Sequence, residues 1–291
     1  MAGESRRRSD PALDGRRSRI LGSLKSGGQG RRGALIATVS TVVFFAALTL
    51  LITHSPGWPE VRSTFFDWGQ FKDSLPEVSR AFLLNVKIFC IAEVLILVFA
   101  LVLAVMRSLP GPAALPLRIL GIAYADFFRG VPTILVIAML GFGAPALQLK
   151  SVPTSTTFWG IVSLVLIYTA YVSEVYRAGI ESVHPSQDAA ARSLGLSHWQ
   201  SLRTVVLPQA VRRVIPPLLN DFIGLQKDTA LVGFLGSIEA FKQSQIDAAA
   251  TFNYTAFTAA ALLFVALTIP LARFTDWLVA RDRRRRQAAG T

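Results

Sequence analysis

Several charged residues stand inside long apolar stretches of this 291-residue chain. An ionised group at the centre of a bilayer costs at least about 2.5 kcal/mol, so each is a functional candidate. Glu93 lies near the middle of the apolar run 81–106. It can face a path for a polar solute, or it can be a structural partner for Lys87 or for a group on a neighbouring helix. Six positions apart, Lys87 and Glu93 do not share a helix face. Asp126 and Arg129, and again Glu174 and Arg177, carry the i, i+3 spacing at which opposite charges meet on a helix. Asp221, Lys227 and Asp228 fall in a further apolar segment. None of this is the chemistry of a catalytic centre. No nucleophile–base arrangement stands out, no G-x-x-x-x-G-K-[ST] phosphate loop occurs, and His54, His184 and His198 lack metal-ligand spacing. We expect no catalytic residue, no metal site and no cofactor bound by this chain.

The elements that position these charges follow from composition. The chain is 52% hydrophobic and 16% charged, against about 25% charged in soluble domains, which points to a membrane protein. Six segments are long and apolar enough to span, at about 20 residues each: 34–53, 81–106, 119–142, 157–177, 212–236 and 254–280. The fifth carries charge and glycine in LQKDTALVGFLG and can be broken. The formal net charge of +12 is clustered beside the spans and not spread as in a nucleic-acid binder. Twenty-one Lys and Arg fall on one side of the implied topology and five on the other, which places both termini in the cytoplasm by the positive-inside rule. No cleavable signal peptide is evident. Residues 1–33 read as a basic disordered tail, 34–53 as an anchor helix, and 281–291 as a second basic tail. The 54–80 loop is then external, with Trp58, Phe65, Phe66 and Trp68 marking an interfacial segment. The single cysteine, Cys90, reads as a buried free thiol.

The stretch DAAARSLGLSHWQSLRTVVLPQAVRR (188–213) is too polar to span and too patterned for a slack loop. Pro185 suits a first helical turn, and Ala189, Ala190, Ala191 and Leu194 continue it. Gly195 stands where a left-handed cap would end it. Ser197 and Gln200 form a capping box for a second helix, with Trp199, Leu202, Val205 and Val206 near one face, and Pro208 is expected to end it. The pattern predicts a two-helix hairpin on the cytoplasmic face, able to dock into a groove on another protein or to lie on the bilayer.

The spacing Ala190-Ala191, three residues, Gly195, nine residues, Val205, one residue, Leu207-Pro208 resembles the EAA loop of ATP-binding-cassette (ABC) importer permeases. TAYVSEVYRAGIESVHPSQ (169–187), LPQAVRRVIPPLLNDFIGLQKDTAL (207–231) and FRGVPTIL (128–135) are similar to segments of the polar amino acid uptake permeases. The resemblance implies an all-α membrane domain over 81–280. It has a five-helix core, the 34–53 helix as an added anchor, and a coupling loop over 181–211 that docks on an ATPase. Its coupling residues would be Ala189, Ala190, Ala191, Leu194, Gly195, Leu196, Trp199, Val205, Leu207 and Pro208. It implies a translocation path for polar amino acids in a bacterial cytoplasmic membrane, a partner ATPase dimer that carries ATP and Mg, a substrate-binding protein outside, and a second permease subunit. Glu93, Lys227, Asp228 and Thr229 are the candidates for lining the path, since a broken helix exposes backbone dipoles to a polar ligand. Asp126 with Arg129 and Glu174 with Arg177 are expected as structural ion pairs. Two departures stand out. Ala230 replaces a usual Ser, and Ala189 occupies the Glu position, with Asp188 about 100° around the helix. The family's ion pair is therefore not expected here, and docking should rest on Leu194, Leu196 and Trp199. An ion-coupled secondary transporter using Glu93 or Asp126, and a non-transporting scaffold with lipid-binding basic tails, are the competing readings.

Overall fold

A computed structural model describes residues 33–109 and 111–288. Residues 1–32 of the expected tail 1–33 and the last three residues of the basic tail lie outside the described residues. Among the described residues there are helices and no strands. The chain divides into two units, at Arg62/Ser63. The first contains helix α1 (Gly33–Thr53), long and apolar enough to span and without a buried residue.

The second unit is built on α3 (Trp68–Ser108), preceded by the short α2 (Trp58–Phe65). The sequence placed a loop over 54–80. Instead α3 starts at Asp67, whose side chain caps it by accepting from the Gln70 N–H at 2.9 Å. A 41-residue helix is about 60 Å long, twice a hydrocarbon core, so its first turns reach past the apolar run. Cys90 is exposed and not buried. The buried positions Asn85, Ile88, Ala92 and Ile96 define the inner stripe of α3, and position 90 falls off it.

The expected span 119–142 is two helices, α4 (Leu115–Gly130) and α5 (Thr133–Ala146), bent by 101°. Pro132 drives its neighbour Val131 into extended backbone (φ −94°, ψ 133°), so one helix cannot run through. Helix α6 (Thr156–Glu181) is the hub and packs against α3, α4, α5 and α9 (Leu207–Asp228). Ile88, Ile96, Leu164, Ile167, Leu225 and Val232 are all but fully buried around it. Glycines allow the backbones to close up, as membrane helix packing requires. A Cβ at Gly160 would strike Val232, and one at Gly179 would strike Val214.

The expected break in the fifth span is present. After α9 the chain tightens into a 3-10 segment, Thr229–Leu235, which ends at Gly236 (φ +92°). Helices α10 (Ala240–Thr251) and α11 (Thr255–Ala288) follow. They close a second cluster on α3 through Val78, Ala240, Ala256 and Ala260, with Phe82 edge-on to Phe264 at 5.0 Å. Helix α11 continues past the expected end at 280 through Ala288. Among the described residues four helices are long and apolar enough to cross a membrane, five with the bent α4–α5 pair as one span. The charge on α9 and its 3-10 extension keeps the remaining expected span out of that set.

Gly179→Val should destabilise the subunit by about 1–3 kcal/mol through overpacking against Val214. Gly143→Val, which meets nothing within 4 Å, should be tolerated. Thermal unfolding in detergent checks both.

Candidate functional site

The hairpin between α6 and α9 is built from its own short-range bonds. His184 caps α7 (Pro185–Ser193), its Nδ1 accepting from the Ser186 N–H at 3.2 Å, and Pro185 occupies the first turn, where no N–H is needed. Gly195 takes φ +89°. Its N–H donates to the Arg192 carbonyl at 3.0 Å, and that of Leu196 donates to the Ala191 carbonyl at 3.3 Å. Those two bonds are a Schellman cap. Ser197 and Gln200 then bond reciprocally: the Gln200 N–H donates to Ser197 Oγ at 3.3 Å, and the Ser197 N–H to Gln200 Oε1 at 2.9 Å. This opens the single turn α8 (His198–Ser201).

The second arm does not stop at Pro208, as the sequence suggested. It widens into a π-helical stretch, Leu202–Val206, and flows into α9, with Leu207 and Pro208 in the first turn. A proline there removes no intrahelical bond, and a π turn absorbs the change of winding. The second arm of the hairpin (α8 and the π stretch) and α9 are therefore one continuous helix, joined to α7 at the Gly195 turn.

Asp188 is turned inward. Its Oδ1 accepts from the hydroxyl of the fully buried Ser201 at 2.6 Å, tying α7 to α8. The carboxylate is thus occupied inside the hairpin and does not replace the one missing at Ala189. Ala191 is buried in the hairpin, Val205 and Leu196 are half-buried, and Ala189, Ala190, Leu207 and Pro208 are exposed. Leu194 is 86% exposed at the tip. Trp199 stands in α8, its side chain outside the described set. Beside the hairpin, the guanidinium of Arg213 on α9 donates to the Ser182 carbonyl at the end of α6.

One helical turn or two into the bundle, Glu174 gathers three guanidiniums. Arg107 Nη2 lies at 2.6 Å, Arg177 at 2.8 Å and Arg129 at 3.2 Å. Arg177 also bonds Glu181 at 2.6 Å. The pairing of Glu174 with Arg177 forms, whereas Arg129 does not pair with Asp126. Asp126 is exposed and makes no ion pair among the described residues. Glu174 is 18% exposed, and attraction there is screened less than at an exposed carboxylate. Arg107, read from the sequence only as a topology signal, is 7% exposed. Its stem crosses α4 at Gly121, where a Cβ would lie 2.6 Å from Arg107 Cγ.

The remaining predicted residues do not form one cluster. Glu93 is half-buried on α3 and makes no ion pair among the described residues. Lys87 is exposed and not its partner. Phe89 and Phe222 meet edge-on at 4.4 Å. Asp228 Oδ2 accepts from the Tyr168 hydroxyl at 2.9 Å. Lys227 is exposed. Thr229 is fully buried, so it presents no surface to a path in this structure. Its hydroxyl donates to the Gln226 carbonyl at 2.8 Å and accepts from Asn85 Nδ2 at 3.1 Å.

Asn85 belongs to a network that the sequence reading missed. Its Nδ2 also donates to Glu239 Oε2 at 2.9 Å, and its Oδ1 accepts from the Ala240 N–H at 3.0 Å. Glu239 is fully buried and caps α10, accepting from the N–H groups of Phe241 and Lys242 at 2.9 and 2.8 Å. Burial pushes its carboxyl above the usual range, and those donors together with Asn85 oppose the shift. An asparagine within an apolar span was the available signal for Asn85. Glu239, between two apolar segments, gave none.

A helical membrane subunit with a capped hairpin fused to one of its inner helices is the architecture of an ABC importer permease. The chain belongs to the family described as the binding-protein-dependent transport system inner membrane component, whose model matches residues 114–284. It is similar to the "Probable amino-acid permease protein YxeN" of Bacillus subtilis (strain 168), 32% identical over 204 residues, covering 70% of this chain and 90% of the relative. It is 34% identical over 167 residues to the "Probable glutamine ABC transporter permease protein GlnM" of the same organism, covering 57% and 76%. The "Glutamate/aspartate import permease protein GltK" of Escherichia coli O157:H7 is 34% identical over 182 residues, covering 61% and 80%. Among solved structures, an amino acid ABC transporter crystallised with histidines matches with a TM-score of 0.67 and 25% identity, over 74% of this chain and 98% of that one. The inward-facing MetNI methionine transporter shares the fold, with a TM-score of 0.55 and 19% identity, over 70% and 95%. The protein is thus a transport subunit of the bacterial inner membrane, and ATP hydrolysis resides in a separate partner.

Glu174→Ala should leave three guanidiniums facing one another and cost on the order of 3 kcal/mol. Glu174→Asp should recover part of the loss. Yield of monodisperse protein and thermal unfolding read the difference.

Proposed function

We propose that this subunit forms half of the translocation path of an ABC importer for polar amino acids. A substrate-binding protein delivers the ligand at the external face. Two ATPase subunits, which bind ATP and Mg, dock on the hairpins of two permease subunits, this chain paired with a copy of itself or with a paralogue. The hairpin and both termini lie in the cytoplasm, as the 21 to 5 division of Lys and Arg favours. Residues 81–280 form the five-helix core, and α1 is an added anchor.

The observation that carries this reading is the continuity of the hairpin with α9. The docking tip at Leu194 to Leu196, the latch from Asp188 to Ser201, the π turn and α9 form one arm. That arm leads from the cytoplasmic face to Asp221 and Asp228. ATPase closure at the tip becomes displacement of path-lining groups. Ala189, Ala190, Gly195, Leu207 and Pro208 set the shape and angle of the joint, Ala191 and Val205 fill its inner side, and Trp199 adds to the docking face.

The substrate class follows from the charges and the relatives. Glu93, Asp221 and Asp228 make no ion pair among the described residues, and together they offer negative potential to the α-ammonium that amino acids share. Lys227 supplies a cation for a carboxylate, and Thr229 positions the segment by its buried bonds. The three relatives are named for amino acids, glutamine, and glutamate and aspartate.

Two experiments test the proposal. A nucleotide-binding subunit should copurify with the wild type from mild detergent and be lost from a correctly inserted Gly195→Pro variant, because proline cannot supply the N–H bonded to Arg192 or adopt φ +89°. Failure to recover any ATPase with the wild type would end the importer reading. Asp228→Asn should bind the ATPase normally while amino acid uptake in proteoliposomes falls at least about tenfold, a loss of some 1.4 kcal/mol. Unchanged uptake would remove Asp228 from the path.

A further inference from the structure

The hairpin stretch carries more cations than anions, and the structure shows how both carboxylates and two of the four arginines are placed, Arg203 and Arg212 being exposed like Arg192 and without a hydrogen bond or ion pair among the described residues. The stretch 181–213 contains two carboxylates, Glu181 and Asp188. Arg177 holds both oxygens of Glu181 at 2.6 Å. Asp188 is half-buried and holds Ser201. Neither is left to face a partner. Among the arginines, Arg213 is bound to the Ser182 carbonyl. Arg192, in the last turn of α7, is exposed and makes no hydrogen bond or ion pair among the described residues. It borders an open groove with Ala189, Ser193, Leu196 and Gln200, two positions before the 86% exposed Leu194. The docking surface is therefore apolar at its tip, cationic at its edge and without a free carboxylate.

Resting on the importer reading, we propose that the ATPase cleft receiving this hairpin is acid-lined: apolar where Leu194 seats, with a carboxylate meeting Arg192 and no basic group opposite Ala189. The argument is charge complementarity. Desolvating Arg192 against a basic or neutral wall leaves an unpaired cation at the interface, which is strongly unfavourable, whereas a close carboxylate across an interface contributes measurable coupling. Asp188 has the opposite job. It is an internal latch of the hairpin and contributes shape, not charge, to the surface. A carboxylate placed at 189 would then meet like charge and weaken docking.

The test uses the full-length permease in nanodiscs of neutral lipid, titrated with its own purified ATPase subunit. Arg192→Glu should weaken binding at least about tenfold, Arg192→Lys should keep most of it, and raising the salt should weaken the wild type more than an Arg192→Ala variant. Ala189→Glu should weaken binding as well. Both positions are exposed on α7, and the melting temperature of each free variant verifies that the hairpin is intact. Binding that is unchanged or tighter in Arg192→Glu, or tighter in Ala189→Glu, overturns the acid-lined cleft. An effect of Arg192→Glu seen only in anionic nanodiscs also overturns it and assigns Arg192 to lipid head groups. If the wild type binds no ATPase, the importer reading itself fails, an outcome distinct from any of these.

Discussion

Glu174 is a single carboxylate that holds three guanidiniums, and the hairpin end of the bundle depends on it. Arg107 comes from the end of α3, Arg129 from the end of α4 and Arg177 from α6 itself. Three helices that otherwise meet largely through apolar contacts, with one further bond from the Tyr124 hydroxyl to the Leu166 carbonyl at 2.8 Å, are thereby fixed at one point in depth. Apolar packing in a membrane gives little preference for one register over another, because lipid is as good a neighbour as leucine. A desolvated ion cluster does give that preference, since sliding a helix by one turn would strand a charge. Gly121 belongs to the same constraint, as any larger residue would block the stem of Arg107.

Much of the architecture was legible because it depends on local chemistry. The apolar runs marked the helices over 34–53, 81–106, 157–177 and 254–280, each of which lies, to within a residue, inside a helix long and apolar enough to cross a membrane. The Gly195 turn and the Ser197–Gln200 box could be read because a Schellman cap and a capping box are complete within six residues of sequence. The broken fifth span was legible for the same reason, from glycine and charge in one short segment. The α4–α5 bend was equally local, in Val131-Pro132, but an unbroken apolar run masked it.

What was not legible depends on contacts across the fold. Spacing offered Asp126 to Arg129, and the fold offered Glu174, 45 positions away in the chain, at a less screened site. Spacing set Asp188 about 100° away from the carboxylate position left empty at Ala189 but did not name its partner, which in the fold is Ser201. Thr229 looked like a path residue because it follows Lys227 and Asp228. Its hydroxyl instead joins Asn85 and the Gln226 carbonyl in the core. For Arg129 a short-range partner lost to a less exposed one across the fold, which is the expected direction in a low dielectric where an unpaired polar group is costly.

Such burial also bears on how an arm can move a path. On the proposed reading, α9 carries displacement from the hairpin over 22 residues, about 33 Å. A lever needs a point that stays still. Directly beyond Asp228, the 3-10 segment is pinned at Thr229 and again at Glu239 and Ala240, in each case by the one side chain of Asn85 on α3. Glu239 in turn caps α10 with two backbone N–H bonds. On that reading, movement of α9 relative to α3 is taken up between its hairpin end and this clamp, where Asp221 and Asp228 stand. On that proposal, the polar groups assigned to the path lie between the driven end and the fixed end of the same helix.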